Sequence, residues 1–193
     1  FKNDKNLQIN TGDFVMVQTA TGYDLGEITL SGELVRLQMR KRKVKESSKE
    51  LGSIVRLAAE KDIELLKELR TKEPDTMRQA RVIARNLKLE MKISDVEFQA
   101  DGKKATFYYI AEGRVDFREL IKVYASNFKV KVEMKQIGAR QEASIIGGIG
   151  SCGRELCCST WLTDFKTVTT GAARYQNLSL NMQKLSGQCG RLK

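Results

Sequence analysis

Short apolar runs separated by turn residues open the chain, and helical spacing takes over after residue 60. Phe14-Val15-Met16-Val17, Leu25-Gly26-Glu27-Ile28 and Leu34-Val35-Arg36-Leu37 read as strands, with turn signals at Thr21-Gly22 and Ser31-Gly32 between them. They predict a small β-rich barrel or meander within residues 1–57. Ile63, Leu65, Leu66 and Leu69 then fall on one side of a helix among charged neighbours. Pro74 is expected to break that helix from the next, over 76–89, where Met77, Ala80, Ile83, Ala84 and Leu87 form one apolar stripe.

Strand spacing returns at Val96, Phe98 and Ala100, which alternate with polar residues up to Asp101-Gly102, a dipeptide suited to a tight turn, and Thr106 to Ile110 form the returning strand. Asp116 and Glu119 predict a variant capping box, flanked by Val115 and Leu120 as a hydrophobic staple. Phe117, Leu120, Ile121, Tyr124 and Phe128 make one helical face, and Val130, Val132 and Met134 alternate in a half-exposed strand. The order α-α-β-β-α-β predicts an α+β domain over 58–137, an antiparallel or mixed sheet with helices on one face. From 138 to 193 the composition shifts to glycine and cysteine; an irregular tail is expected there, with one short helix over 170–176.

Composition narrows the class. Of 193 residues, 41% are apolar and 30% charged, which excludes wholesale disorder and a collagen-like repeat, and no apolar run approaches a membrane span. The chain has no histidine, so imidazole-based triads, His zinc sites and His pH switches are excluded. A start at Phe1 without methionine and an end at Lys193 suggest a trimmed chain.

The chemistry concentrates in C-x4-C-C-x30-C, made of Cys152, Cys157, Cys158 and Cys189. Four thiolates suit an iron-sulfur cluster or, alternatively, zinc. Buried reduced thiols are the other open reading, and a disulfide framework ranks third. Gly148 to Gly153 formally matches G-x-G-x-x-G, but no βαβ unit surrounds it and Asp164 comes too soon for a ribose contact; a tightly turned loop is expected instead. Cys152-Gly153-Arg154 is echoed by Cys189-Gly190-Arg191, each placing a cation near a sulfur.

The net charge of +10 gathers in two stretches, +5 over residues 34–50 and +4 over 76–92. Arg40, Lys41, Arg42 and Lys43 lie in the first; Arg78, Arg81, Arg85 and Lys88 lie in the second, along one expected helical face. Either a solvated surface or a track for a phosphate backbone fits, with weak RNA binding as the functional alternative. No aromatic platform for stacking bases is interleaved with these charges.

The block Gly147-Gly148-Ile149-Gly150-Ser151-Cys152-Gly153-Arg154-Glu155-Leu156-Cys157-Cys158 resembles the bacterial RicT (YaaT) family, named for a region shared with a yeast polymerase-suppressor protein. Further matching blocks are Gly12-Asp13, Asp101 to Lys104, Gly113 to Leu120, Gln136 to Gly138, Gln176 to Asn181 and Ser186 to Leu192. The resemblance implies a cytoplasmic, non-catalytic regulator. Such proteins associate with two small helical proteins, RicA and RicF, in a complex that carries iron-sulfur clusters and promotes RNA maturation by the endoribonuclease RNase Y. It makes Cys152, Cys157, Cys158 and Cys189 the ligand candidates, in clusters that partner cysteines can complete, so that the chain alone need not hold metal. Ser151 stands where the family commonly has proline, and the chain stops where the family's second motif continues into two more cysteines.

Overall fold

The structure is a computed structural model that describes residues 1–19, 22–41, 44, 51–162 and 169–189. It is α+β, with two three-stranded sheets.

The first sheet joins β1 (Phe14–Thr19), β2 (Gly22–Glu27) and β3 (Ser53–Leu57) in the order β2-β1-β3, all antiparallel, and is open rather than closed into a barrel. Val15 and Val17 on the central strand bury against Ile54, with Leu7, Ile9 and Ile28 around them. Residues 34–37 do not supply the third strand. They lie in helix α1 (Glu33–Lys41), which starts after Gly32 at φ 66°, has Glu33 in its first turn and consists of good helix formers apart from Val35. The third strand comes from 53–57, and the bridge from Lys2 to Ser53 extends its outer edge.

Helix α2 (Glu60–Asn86) then runs unbroken through Pro74, where two helices were expected. Its buried residues Leu69, Thr76, Ala80 and Ala84 keep one phase, because the step from 69 to 76 is two turns at about 3.6 residues per turn. One apolar stripe therefore docks along its whole second half, and tertiary burial outweighs the hydrogen bond that proline removes.

The second sheet contains β4 (Lys92–Phe98), β5 (Lys104–Ile110) and β6 (Lys131–Gln136) in the order β4-β5-β6. The β4-β5 hairpin turns at Gly102, φ 68°, and β6 lies parallel to β5 after a crossover through α3 (Arg118–Phe128). It is thus a mixed sheet with α2 and α3 on its inner face. Val96, Phe98, Phe107 and Tyr109 bury against Ala80, Ala84, Leu120 and Tyr124. The expected Asp116–Glu119 capping box does not form: the N-cap is Phe117, and Asp116 instead accepts a bond from the Arg118 N–H at 3.1 Å. The cysteine-bearing tail opens with a helix absent from the sequence reading, α4 (Ala139–Ile146), followed by short α5 (Thr170–Tyr175) and α6 (Met182–Leu185).

Candidate functional site

Helix α4 starts on Gly138, whose N–H donates to the Gln141 side chain at 3.2 Å, and stops at two glycines. Gly147 and Gly148 have φ of 70° and 125°, values that a side chain would strain, so the chain reverses sharply there. A miniature hairpin follows. Ile149 bridges Glu155, the Gly150 N–H donates to the Arg154 carbonyl at 2.7 Å, and the Leu156 N–H donates to the Gly148 carbonyl at 3.0 Å. Its tip is the turn Gly150-Ser151-Cys152-Gly153, closed by the Gly153 N–H on the Gly150 carbonyl. The glycine run therefore makes a tight loop, as expected from its failure to sit in a βαβ unit, and it holds Cys152 exposed at the apex.

Cys157 and Cys158 leave the hairpin in a turn on which the Leu156 carbonyl accepts from the Ser159 N–H and from the hydroxyls of Ser159 and Thr160. Cys157 is exposed and Cys158 half-buried, so the adjacent thiols occupy different environments. Cys189 arrives from far along the chain to line a cavity of about 440 Å³ together with Ala143, Ile146, Gly148 and Leu156. None of the four cysteines is in a disulfide. The donor chemistry suits a soft metal or cluster; the arrangement within this chain does not complete one, because no three His, Cys, Asp or Glu side chains converge as a metal site among the described residues. Arg191 of the second Cys-Gly-Arg echo lies outside the described residues.

A polar junction that the sequence reading missed fastens α4 to the sheet. Ser94 is the extra residue of a β-bulge between Ile93 and Asp95, and its buried hydroxyl donates to Glu142 Oε1 at 2.9 Å. Lys92 Nζ pairs with the same oxygen at 3.0 Å. Burial pushes the Glu142 carboxyl up, but hydrogen bonds from Lys92 and Ser94, with Arg81 nearby, more than offset it and hold the group below its ordinary value. The readable signal was the step from Ile93 to Val96, three residues where a regular strand repeats every two.

The candidate basic residues do not share one free face. Arg81 is half-buried and donates through Nε to the Ile93 carbonyl at 2.8 Å and through Nη2 to the Ser94 carbonyl at 3.3 Å, so it fixes the bulge. Arg78 is exposed and paired with Asp75 at 3.0 Å. Arg85 is exposed on α2, whereas Lys88 lies beyond the end of the helix in a left-handed conformation. Arg40 is exposed near the end of α1 and Lys41 is its last residue; Arg42 and Lys43 lie outside the described residues.

Residues 52–137 match the PSP1 C-terminal conserved region, and residues 167–193 match the third domain of PSP1-like proteins. Stage 0 sporulation protein YaaT of Bacillus subtilis is 42% identical over 90% of the chain. The chain belongs to the YaaT/PSP1 family. Other YaaT/PSP1 relatives are an uncharacterized protein of Schizosaccharomyces pombe, 26% identical over 72% of the chain, and Protein PSP1 of Saccharomyces cerevisiae, 51% identical over 23%. The chain spans 60% of the length of the B. subtilis relative, 21% of the S. pombe protein and 5% of the S. cerevisiae one. No solved structure matches it. On the fold, the PSP1 region runs from β3 through the second sheet, the third-domain match takes in α5, α6 and Cys189, and the Gly-Cys hairpin lies between the two. Among the described residues no helix of this YaaT/PSP1 member is long and apolar enough to cross a membrane.

Proposed function

We propose that this chain is a cytoplasmic, non-catalytic regulatory scaffold, one subunit of a complex that carries iron-sulfur clusters and promotes RNA maturation by an endoribonuclease of the RNase Y type. The observation that carries this reading is the placement of the thiols. Cys152 and Cys157 are exposed beside one another in sequence on a glycine hairpin, and Cys189 lines the cavity that the same hairpin bounds. Thiols presented outward, without a closed set of donors, suit ligands that partner chains complete, and RicA-like and RicF-like helical proteins fill that role in the proposal. The regulatory part is supported by the likeness to a stage 0 sporulation protein.

Anaerobic purification of the chain with and without such partners, followed by iron and sulfide analysis, tests the proposal. Iron and acid-labile sulfide should appear in the complex and fall when Cys152, Cys157 or Cys189 is replaced by serine, with Cys158 the least certain ligand. A complex free of iron, or one indifferent to all four serine variants, leaves the cysteines as ordinary thiols. Direct RNA contact is the second reading, favoured by the exposure of Arg40, Arg85 and Lys88.

A further inference from the structure

Helix α1 is nine residues long, and no other described element packs extensively against it. At about 3.6 residues per turn, Leu34, Leu37 and the Lys41 position share one side, with Arg40 next to them, while Val35 and Met39 turn away. Burial follows that division. Val35 and Met39 are half-buried, whereas Leu34 and Leu37 are each 59% exposed, an arrangement in which the leucines gain nothing from the fold of this chain. The same stretch carries seven basic residues between 34 and 50 against two acidic ones.

We propose that α1 is a docking helix for an acidic amphipathic helix of a partner protein, with Leu34 and Leu37 as apolar anchors and Arg40 and Lys41 pairing with its carboxylates. A helix-in-groove or helix-on-helix contact reads anchors three and four residues apart, which is the spacing of Leu34, Leu37 and Lys41. Charge complementarity sets the sign of the partner, since the surface offered is strongly basic. The interleaving decides between occupants. A phosphate backbone gives exposed leucines no role. A lipid surface favours an apolar centre with aromatic residues and with cations segregated to the opposite face; here cationic positions adjoin the leucines and the helix has no aromatic residue. A protein helix with alternating leucine and glutamate satisfies both residue types at once. The inference rests on α1 alone and stands whether or not the cysteines hold a metal.

The test is fluorescence anisotropy of a labelled three-heptad peptide, leucine at the core positions and glutamate elsewhere, titrated with the full chain. Saturable binding is expected, weakened about tenfold or more by Leu34→Ser with Leu37→Ser and also by Arg40→Glu. A control peptide with alanine for leucine should not bind. Because both leucines are exposed, the variants should keep the wild-type circular dichroism and unfolding midpoint. The proposal is overturned if the serine variant binds the peptide as wild type does or if the alanine peptide binds equally. It is also overturned if the same substitutions abolish binding to phosphatidylcholine–phosphatidylglycerol vesicles, to oligouridine or to a second copy of the chain while leaving peptide binding unchanged.

Discussion

The hydroxyl of Tyr124, on α3, donates a hydrogen bond to the carbonyl of Ala80, on α2, at 2.7 Å in the centre of the main core. Its ring lies against Phe107 of the central strand, with centroids 4.6 Å apart, so one side chain joins both helices to the sheet. Removing only the hydroxyl should cost about 1 kcal/mol, because the Ala80 carbonyl retains a helical position. Truncation to alanine should cost about 3–5 kcal/mol through the cavity left behind. Urea unfolding of Tyr124→Phe and Tyr124→Ala checks the difference; equal losses would show that the hydroxyl, not the ring, carries the contact. Burial also pushes the Tyr124 phenol up from its ordinary value of 10.0. Stability from this group is therefore complete below pH 10 and declines as pH rises beyond it, and Tyr124→Phe should flatten that alkaline decline.

Pro74 sits inside α2, where its ring meets the carbonyl of Arg70 and no N–H is available. Pro74→Ala restores the donor and a better helix former, while loosening the unfolded chain slightly. A net gain of about 1–2 kcal/mol is expected, seen as a higher urea midpoint at constant slope. A lower midpoint would mean that the proline shapes the path by which Leu69 and Ala80 reach the sheet.

These two helices mark where the sequence was legible. The alternation of Val96, Phe98 and Ala100 and the turn at Gly102 were readable because their causes are local, and all three apolar residues are buried. Pro74 misled because a local rule was set against a phase that continues from Leu69 to Ala84, and burial along the whole stripe decides. Leu34 to Leu37 fits two periods at so short a length, and α1 was settled by Gly32 and by residues with helical preference. Cys189 was identified as a candidate, but its arrival at the wall of a cavity under α4 depends on contacts far apart in sequence, which no spacing encodes.

Arg81 and Arg85 stand one turn apart on α2 and should behave differently. Arg81 supports two backbone carbonyls at the bulge, so Arg81→Ala should cost about 1.5–3 kcal/mol. Arg78→Ala and Arg85→Ala should stay within about 0.5 kcal/mol of wild type, since both residues are exposed. If the basic surface touches RNA, a variant lacking Arg78, Arg85 and Lys88 should bind more weakly and show a shallower salt dependence, at unchanged stability. A flat salt response in the wild type would assign these cations to solvent.

Glu142 is where the two halves of the site meet, for its carboxylate is held by Ser94 and Lys92 of β4 while its backbone belongs to the helix that leads into the Gly-Cys hairpin. Its pKa is depressed in the folded chain, so the tether is complete above the ordinary value of 4.5 and is lost as pH falls through the folded value. Glu142→Ala should leave the buried Ser94 hydroxyl without its acceptor and free α4, lowering hydrogen-exchange protection over residues 139–146 by about 5–30-fold, the ratio that 1–2 kcal/mol produces. Protection over 117–134 should not change, because that core does not use Glu142. Glu142→Gln keeps an oxygen for Ser94 and loses only the ion pair, so it should fall between the alanine variant and wild type. Below pH 4 the wild type should approach the glutamine variant, as protonation removes the same charge. Unchanged protection in Glu142→Ala would mean that the apolar wall of the cavity, Ala143 and Ile146 against Leu156, is enough to seat the helix without its polar tether.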